Sequence, residues 1–141
     1  MKLSTRSRYG TRLVLELALK FESGPVFLKD ICKAQNLSFK YLSQIIILLK
    51  TAGIVKAMRG AYGGYCLAKK PEEIKLSEIV GALEGTLNII DCIKNPEACK
   101  KYSNCASRFY WEEINNNICK SLEEITVKNI LEKHRALNLL Q

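Results

Sequence analysis

The chain has 141 residues, 48% of them apolar, with 22 Lys and Arg against 14 Asp and Glu for a net charge of +8. This length favours one domain or one compact domain with an appended element, and the apolar share excludes wholesale disorder. The charge is uneven, fourteen basic and five acidic side chains in residues 1–75 against eight and nine in 76–141, so the first half is built to attract a polyanion, nucleic acid before anionic lipid.

The longest apolar run is Ile45 to Leu49, too short for a transmembrane span. Met1-Lys2-Leu3 leads into polar residues without the pattern of a signal peptide. A cytosolic location is therefore expected, where thiols stay reduced. In that setting the six cysteines point to metal binding or redox sensing before a disulfide framework.

The first predicted helix covers residues 5–22, with Leu13, Val14, Leu17 and Phe21 at helical spacing and Gly24-Pro25 after it. A short helix fits 28–35, with Leu28, Ile31 and Cys32 inward. Asn36-Leu37-Ser38 then forms a turn, with Ser38 the N-cap of a third helix that runs to Thr51 and stops at Gly53. Leu42, Ile45, Ile46 and Leu49 make its core stripe, leaving Lys40, Ser43, Gln44 and Lys50 largely outside. Two helices joined this way, the second with a polar first turn, predict a helix-turn-helix.

Two short strands follow, around Ile54–Met58 and Tyr65–Ala68, joined by Arg59-Gly60-Ala61-Tyr62-Gly63-Gly64. An arginine on a glycine-rich hairpin tip predicts a wing. Ser77 to Leu83 reads as a further helix, stopped by Gly85. A cysteine-bearing loop covers 86–103, and a long helix is expected from about Asn104 to Glu124. Trp111, Ile114, Ile118, Leu122 and Ile125 form one apolar stripe along it. A last helix near 127–135 is capped by Thr126, and a tail runs from Asn138 to Gln141. The expected fold is mainly α. It has a winged helix-turn-helix domain over 1–85, the cysteine loop over 86–103, and a dimerisation helix with its tail over 104–141.

Base reading is expected from the start of the third helix: Ser38, Lys40, Tyr41 and Gln44. The Gln44 amide can make two bonds to adenine in the major groove, and Lys40 suits a phosphate. Arg59, with Gly60 beside it, suits a narrow minor groove. Lys2, Arg6, Arg8 and Arg12 suit the DNA backbone at the start of the first helix. Tyr41 fits a partly buried core position equally well.

Cys92, Cys99 and Cys105 stand within fourteen residues, spaced by six and five. Three close thiolates suit iron–sulfur chemistry, whereas the CxxC pairs common in zinc sites are absent. Cys105 falls at the N-terminus of the long helix, where the dipole favours thiolate. Cys32, Cys66 and Cys119 read as small apolar core residues, and His134, the only histidine, as a surface residue. With that one remote histidine and no convergent acid/base pair, an enzyme is not expected.

Several segments resemble the family of winged helix-turn-helix repressors that contains IscR, NsrR and CymR. They are LSTRSRYGTRLVLELA, LSFKYLSQIIILLKTAGIV, the wing RGAYGGYCLAK, LSEIVGALEG, and YWEEI beyond the cysteines. The resemblance covers nearly the whole chain, and the wing and SEIVGALEG are its most specific parts. It implies a cytoplasmic homodimer that crosses its long helices, binds a pseudo-palindromic operator, and carries a 2Fe–2S or 4Fe–4S cluster on Cys92, Cys99 and Cys105.

This sequence departs from that family at four places. Ala61 stands where the wing usually has proline, and Ser43 where IscR-like members carry a glutamate that tunes sequence choice. IscR-like members take a histidine three residues after the last cysteine as fourth ligand, and here that residue is Arg108. Others use an acidic side chain near position 8, and here that is Arg8. Asp91, Glu97, Glu112, solvent or a small thiol are the remaining candidates. Two alternatives stand beside a cluster-sensing repressor. One is a regulator of the same fold acting through thiol oxidation or a partner protein; the other is an iron–sulfur electron carrier.

Overall fold

A computed structural model describes residues 3–61 and 63–140. Lys2, expected at the DNA backbone, and Tyr62 in the wing tip lie outside them. The helix-turn-helix comes first. Helix α1 spans Thr5–Leu19, α2 spans Leu28–Gln35 and α3 spans Phe39–Thr51. Ser4 caps α1 by accepting from the Ser7 N–H, and Ser38 caps α3 by accepting from the Tyr41 N–H. Between α2 and α3 the chain turns at Asn36, whose φ of 51° is left-handed. Its N–H and that of Leu37 close on the carbonyls of Lys33 and Cys32.

Strands β1 (Val55–Met58) and β2 (Gly64–Leu67) pair antiparallel, with Val55 opposite Leu67 and Met58 opposite Gly64. Val26, just before α2, bridges Tyr65 and anchors the hairpin to the helices. Gly64 permits that approach. A Cβ there would stand 2.6 Å from the Val26 carbonyl oxygen, and its φ is +141°. Helix α4 spans Leu76–Glu84 and ends at Gly85, whose φ of +85° turns the chain out of the helix.

The expected loop over 86–103 is instead largely folded into single turns. These are α5 (Asp91–Lys94) and 3-10 turns at Pro96–Ala98 and Tyr102–Asn104. Short runs between proline and polar residues hold no apolar periodicity, which is why only the cysteines were legible there. Helix α6 spans Ala106–Glu124, two residues inside the expected start, because Tyr102–Asn104 is a separate 3-10 turn and Cys105 takes the N-cap. Helix α7 spans Val127–Asn138, longer than expected, with a Thr126–Asn129 capping box.

The core gathers Leu13, Val14 and Leu17 of α1, Leu28 and Ile31 of α2, the α3 stripe, Ile54 and Leu67 from the wing base, and Ile79 and Leu83 of α4. Val127 and Leu131 of α7 join the same core. The end of the chain therefore returns to the helix that begins it. Phe21 does not enter this core. The helix ends at Leu19, and i→i+3 bonds from the Lys20 and Phe21 N–H groups tighten the last turn, rotating Phe21 out to 36% exposure. No described helix is long and apolar enough to cross a membrane.

Candidate nucleic-acid interface and cysteine segment

The fold brings the expected base-reading residues to one edge. Ser38 and Lys40 are exposed at the first turn of α3, and Gln44 is exposed one turn on. Tyr41 is half-buried, its ring set edge-on to Tyr9 with centroids 6.0 Å apart. Tyr41 thus also packs between α1 and α3, as the core alternative anticipated. Arg8 and Arg12 lie 5.9 and 5.6 Å from the Tyr9 ring centre, and both are exposed with Arg6 on the same helix. Ser4, Thr5 and Arg6 with Tyr41 and Gln44 line a cleft of about 480 Å³ between α1 and α3. Arg59 and Gly60 are exposed at the wing tip, where Gly60 has a φ of +115° and its carbonyl accepts from the Gly63 N–H.

The first turn of α1 is held by a residue not singled out from the sequence. Glu84, the last residue of α4, accepts at Oε1 from the Ser4 N–H at 2.9 Å and from the Ser7 hydroxyl. These contacts hold its carboxyl below the ordinary range. Hydrogen bonding from the Ser4 side chain is the largest cause and the Ser7 hydroxyl the next, with the Arg6 charge a smaller help. Ser7 is buried, at 2% exposure. Its signal in the sequence was positional: a small polar residue in register with Gly10, Leu13, Val14 and Leu17 on the buried face.

Cys92 lies on α5, Cys99 ends the Pro96–Ala98 turn, and Cys105 is the N-cap of α6. All three are free and half-buried. Among the described residues, no three His, Cys, Asp or Glu side chains stand together as a group able to hold a metal ion. In this arrangement the segment does not fit an iron–sulfur cluster, although three thiols are chemically suited donors. Of the candidate fourth ligands, Glu112 is engaged elsewhere, its Oε1 standing 3.4 Å from Arg108 Nε. That Nε is buried and makes no hydrogen bond, so the contact is a charge pair only. The Arg108 guanidinium is wedged between the rings of Tyr102 and Phe109, 4.1 and 4.7 Å from their centres.

The Cys105 thiol is shifted down, as its place on the helix predicted, but chiefly by a hydrogen bond with the Ser107 side chain and next by the Arg108 backbone. Of the three cysteines read as core residues, Cys32 is buried while Cys66 and Cys119 are half-buried. His134 is half-buried on α7, its Nε2 2.9 Å from Asn138 Nδ2.

Helix α6 has one buried residue, and it is polar: Asn115, at 5% exposure. Its Oδ1 accepts from the Ile89 N–H at 3.0 Å, and Cys119 one turn on approaches the Leu87 carbonyl at 3.8 Å. Asn115 fixes the chain leaving α4 to the long helix. The expected stripe is less covered, with Trp111 44%, Ile114 43% and Ile125 38% exposed and Ile118 and Leu122 half-buried.

A helix-turn-helix, a paired wing with an arginine at its tip and a cationic first helix define a winged helix-turn-helix protein of the nucleic-acid-binding kind. Comparison with known proteins narrows this. Residues 3–133 match the Rrf2 family, described as an iron-dependent transcriptional regulator. The chain belongs to the Rrf2 family of DNA-binding transcriptional regulators.

It is 37% identical to the protein rrf2 of Nitratidesulfovibrio vulgaris over 93% of this chain and 87% of that one. It is also 37% identical to the HTH-type transcriptional regulator CymR of Bacillus subtilis, over 92% and 89% of the two chains. The solved structure of that CymR, described as the global cysteine regulator of B. subtilis, superposes with a TM-score of 0.80, covering 94% of this chain and 98% of that one at 34% identity. T. potens IscR superposes with a TM-score of 0.77 at 36% identity, covering 95% and 88%. The resemblance read from the wing and the SEIVGALEG run is thereby established at the level of family and fold.

Proposed function

We propose that the chain is a cytoplasmic, sequence-specific transcriptional repressor that binds a pseudo-palindromic operator as a homodimer. One observation carries this reading: Lys40 and Gln44 on α3, Arg6 and Arg8 on α1, and Arg59 on the wing are all exposed on three elements that a winged reader lays along DNA. Gln44 reads a base, Lys40, Arg6 and Arg8 hold phosphates, and Arg59 with Gly60 enters the minor groove. Ser38 and Tyr41 set the first turn of α3 against the duplex. The dimer forms along α6 through Trp111, Ile114, Ile118, Leu122 and Ile125.

The test begins with an operator selected from random duplexes. Gln44→Ala is expected to cost roughly 1–3 kcal/mol on that operator and far less on random DNA, read by fluorescence anisotropy at fixed salt. A protein that binds selected and random duplexes equally would refute sequence-specific regulation.

The regulatory signal is assigned to the segment from Cys92 to Cys105. The free, half-buried thiols support a sensor that responds to oxidation or to a partner protein. A cluster ligated by Cys92, Cys99 and Cys105, reporting iron–sulfur, redox or nitric-oxide status, is the second reading. It is favoured by the donor chemistry and by the likeness to T. potens IscR. Iron and sulfide content with visible absorbance after anaerobic purification separates the two. Colourless, iron-free protein whose operator affinity changes on thiol oxidation supports the first reading, and stoichiometric iron and sulfide support the second.

A further inference from the structure

We infer that Glu84 is a positioning residue for DNA binding, completing the N-terminal cap of α1 from the end of α4. In an ordinary capping box the N-cap side chain accepts from the N3 backbone, and an acidic N3 side chain reaches back to the N-cap N–H. Here Ser4 makes the first bond, accepting from the Ser7 N–H at 3.3 Å. The N3 residue is Ser7 itself, too short to return the second. Glu84 supplies it from 80 residues away, taking the Ser4 N–H at 2.9 Å and the Ser7 hydroxyl on the same oxygen. A carboxylate at this place also meets the positive end of the α1 dipole.

The consequence lies in what that turn displays. Arg6 sits between the two capping serines, and Arg8 follows directly. Ser4, Thr5 and Arg6 form one wall of the cleft whose other wall is Tyr41, Gln44 and Leu48 of α3. Glu84 therefore sets the separation between the phosphate-binding turn and the base-reading helix.

Glu84 also stands where the cysteine segment begins. Gly85 ends α4, and Leu87 and Ile89 are tied to α6 through Cys119 and Asn115. Ser7 and Asn115 are the two buried polar residues among those described, one at each end of this five-residue crossing. A displacement of the crossing reaches the α1 cap through the Glu84 carboxylate.

This inference rests on the DNA-binding reading above. Its test compares Glu84→Ala and Glu84→Gln with the wild type, measuring selected-operator affinity across a salt series. Glu84→Ala is expected to weaken binding about three- to tenfold and to flatten the log–log salt dependence by about 1 for each phosphate no longer held. Arg6→Ala added to Glu84→Ala should then cost less than Arg6→Ala alone. Glu84→Gln keeps an acceptor oxygen and should retain most of the wild-type salt slope.

A Glu84→Ala protein with an unchanged slope, or a Glu84→Gln protein as impaired as Glu84→Ala, would overturn the inference. If Glu84→Ala does not fold, Ser7→Ala replaces it: the Ser4 bond stays, and a smaller drop in affinity with a flatter slope is required. An unchanged slope there has the same adverse meaning. Failure of the wild type to prefer the selected operator would instead remove the functional reading itself.

Discussion

Two single residues set how closely α1 and α4 approach. A Cβ on Gly10 would overlap Leu83 Cδ1 and stand 3.4 Å from Ile45 Cγ2. Leu83 is 3% exposed and Ile45 fully buried, so neither has room to swing away. Overpacking of this kind costs roughly 1–3 kcal/mol, while replacing a helical glycine with alanine returns up to about 1. Gly10→Ala is thus expected to lower the urea midpoint, and Leu83→Ala to cost less in the Gly10→Ala background than in the wild type. A Gly10→Ala protein more stable than wild type would contradict the close approach. Glu84 acts one turn away with a definite pH sign. Its folded pKa lies below the ordinary 4.5, so its contribution is complete above that value and is lost as pH falls through the depressed one. The stability gap between wild type and Glu84→Gln should hold steady from neutral pH to about 5 and shrink in more acid solution. A gap that widens on acidification would place the carboxyl elsewhere than on the α1 cap.

At the scale of elements, legibility followed periodicity and caps. The α3 stripe of Leu42, Ile45, Ile46 and Leu49 is buried as its spacing predicts, and Ser38 and Thr126 cap the helices they were expected to cap. The wing was legible from Gly60 and the Gly63-Gly64 pair between apolar runs. Phe21 was misplaced because spacing alone does not reveal where a helix tightens into a terminal turn. The folded turns over 91–104 were hidden because four-residue elements carry no period. The α1 cap was hidden for another reason: its acidic half lies 80 residues from the serine it completes. Local motif reading looks three residues ahead, and a cap assembled by tertiary contact leaves no such signature. Asn115 carried a signal that could have been used. It interrupts the stripe between Trp111 and Ile118 at helical spacing, and a polar residue in that register calls for a buried partner.

At the scale of the whole molecule, the question is what covers α6. Nineteen residues of helix span about 28 Å, and Asn115 is the only one of them buried. Phe109 and Tyr110 are 62% and 69% exposed, and Trp111, Ile114 and Ile125 lie between 38% and 44%. Helix α7 turns away from this face to pack its Val127 and Leu131 into the core beside α1. The stripe is therefore left open along one side of the chain. In the proposed dimer a second copy crossing the helix would meet it with the same stripe, as a two-fold contact requires. Two copies held so would present two α3 helices to half-sites about one DNA turn, ~34 Å, apart. Ile114→Glu puts a charge at the middle of that contact, where desolvation is not repaid. It should convert the dimer to a monomer by sedimentation velocity, leave the helical circular dichroism unchanged, and abolish tight binding to the full operator while sparing weak half-site binding. A wild-type protein that sediments as a monomer at micromolar concentration, yet binds the full operator without cooperativity, would refute the α6 dimer and leave each winged domain reading DNA alone.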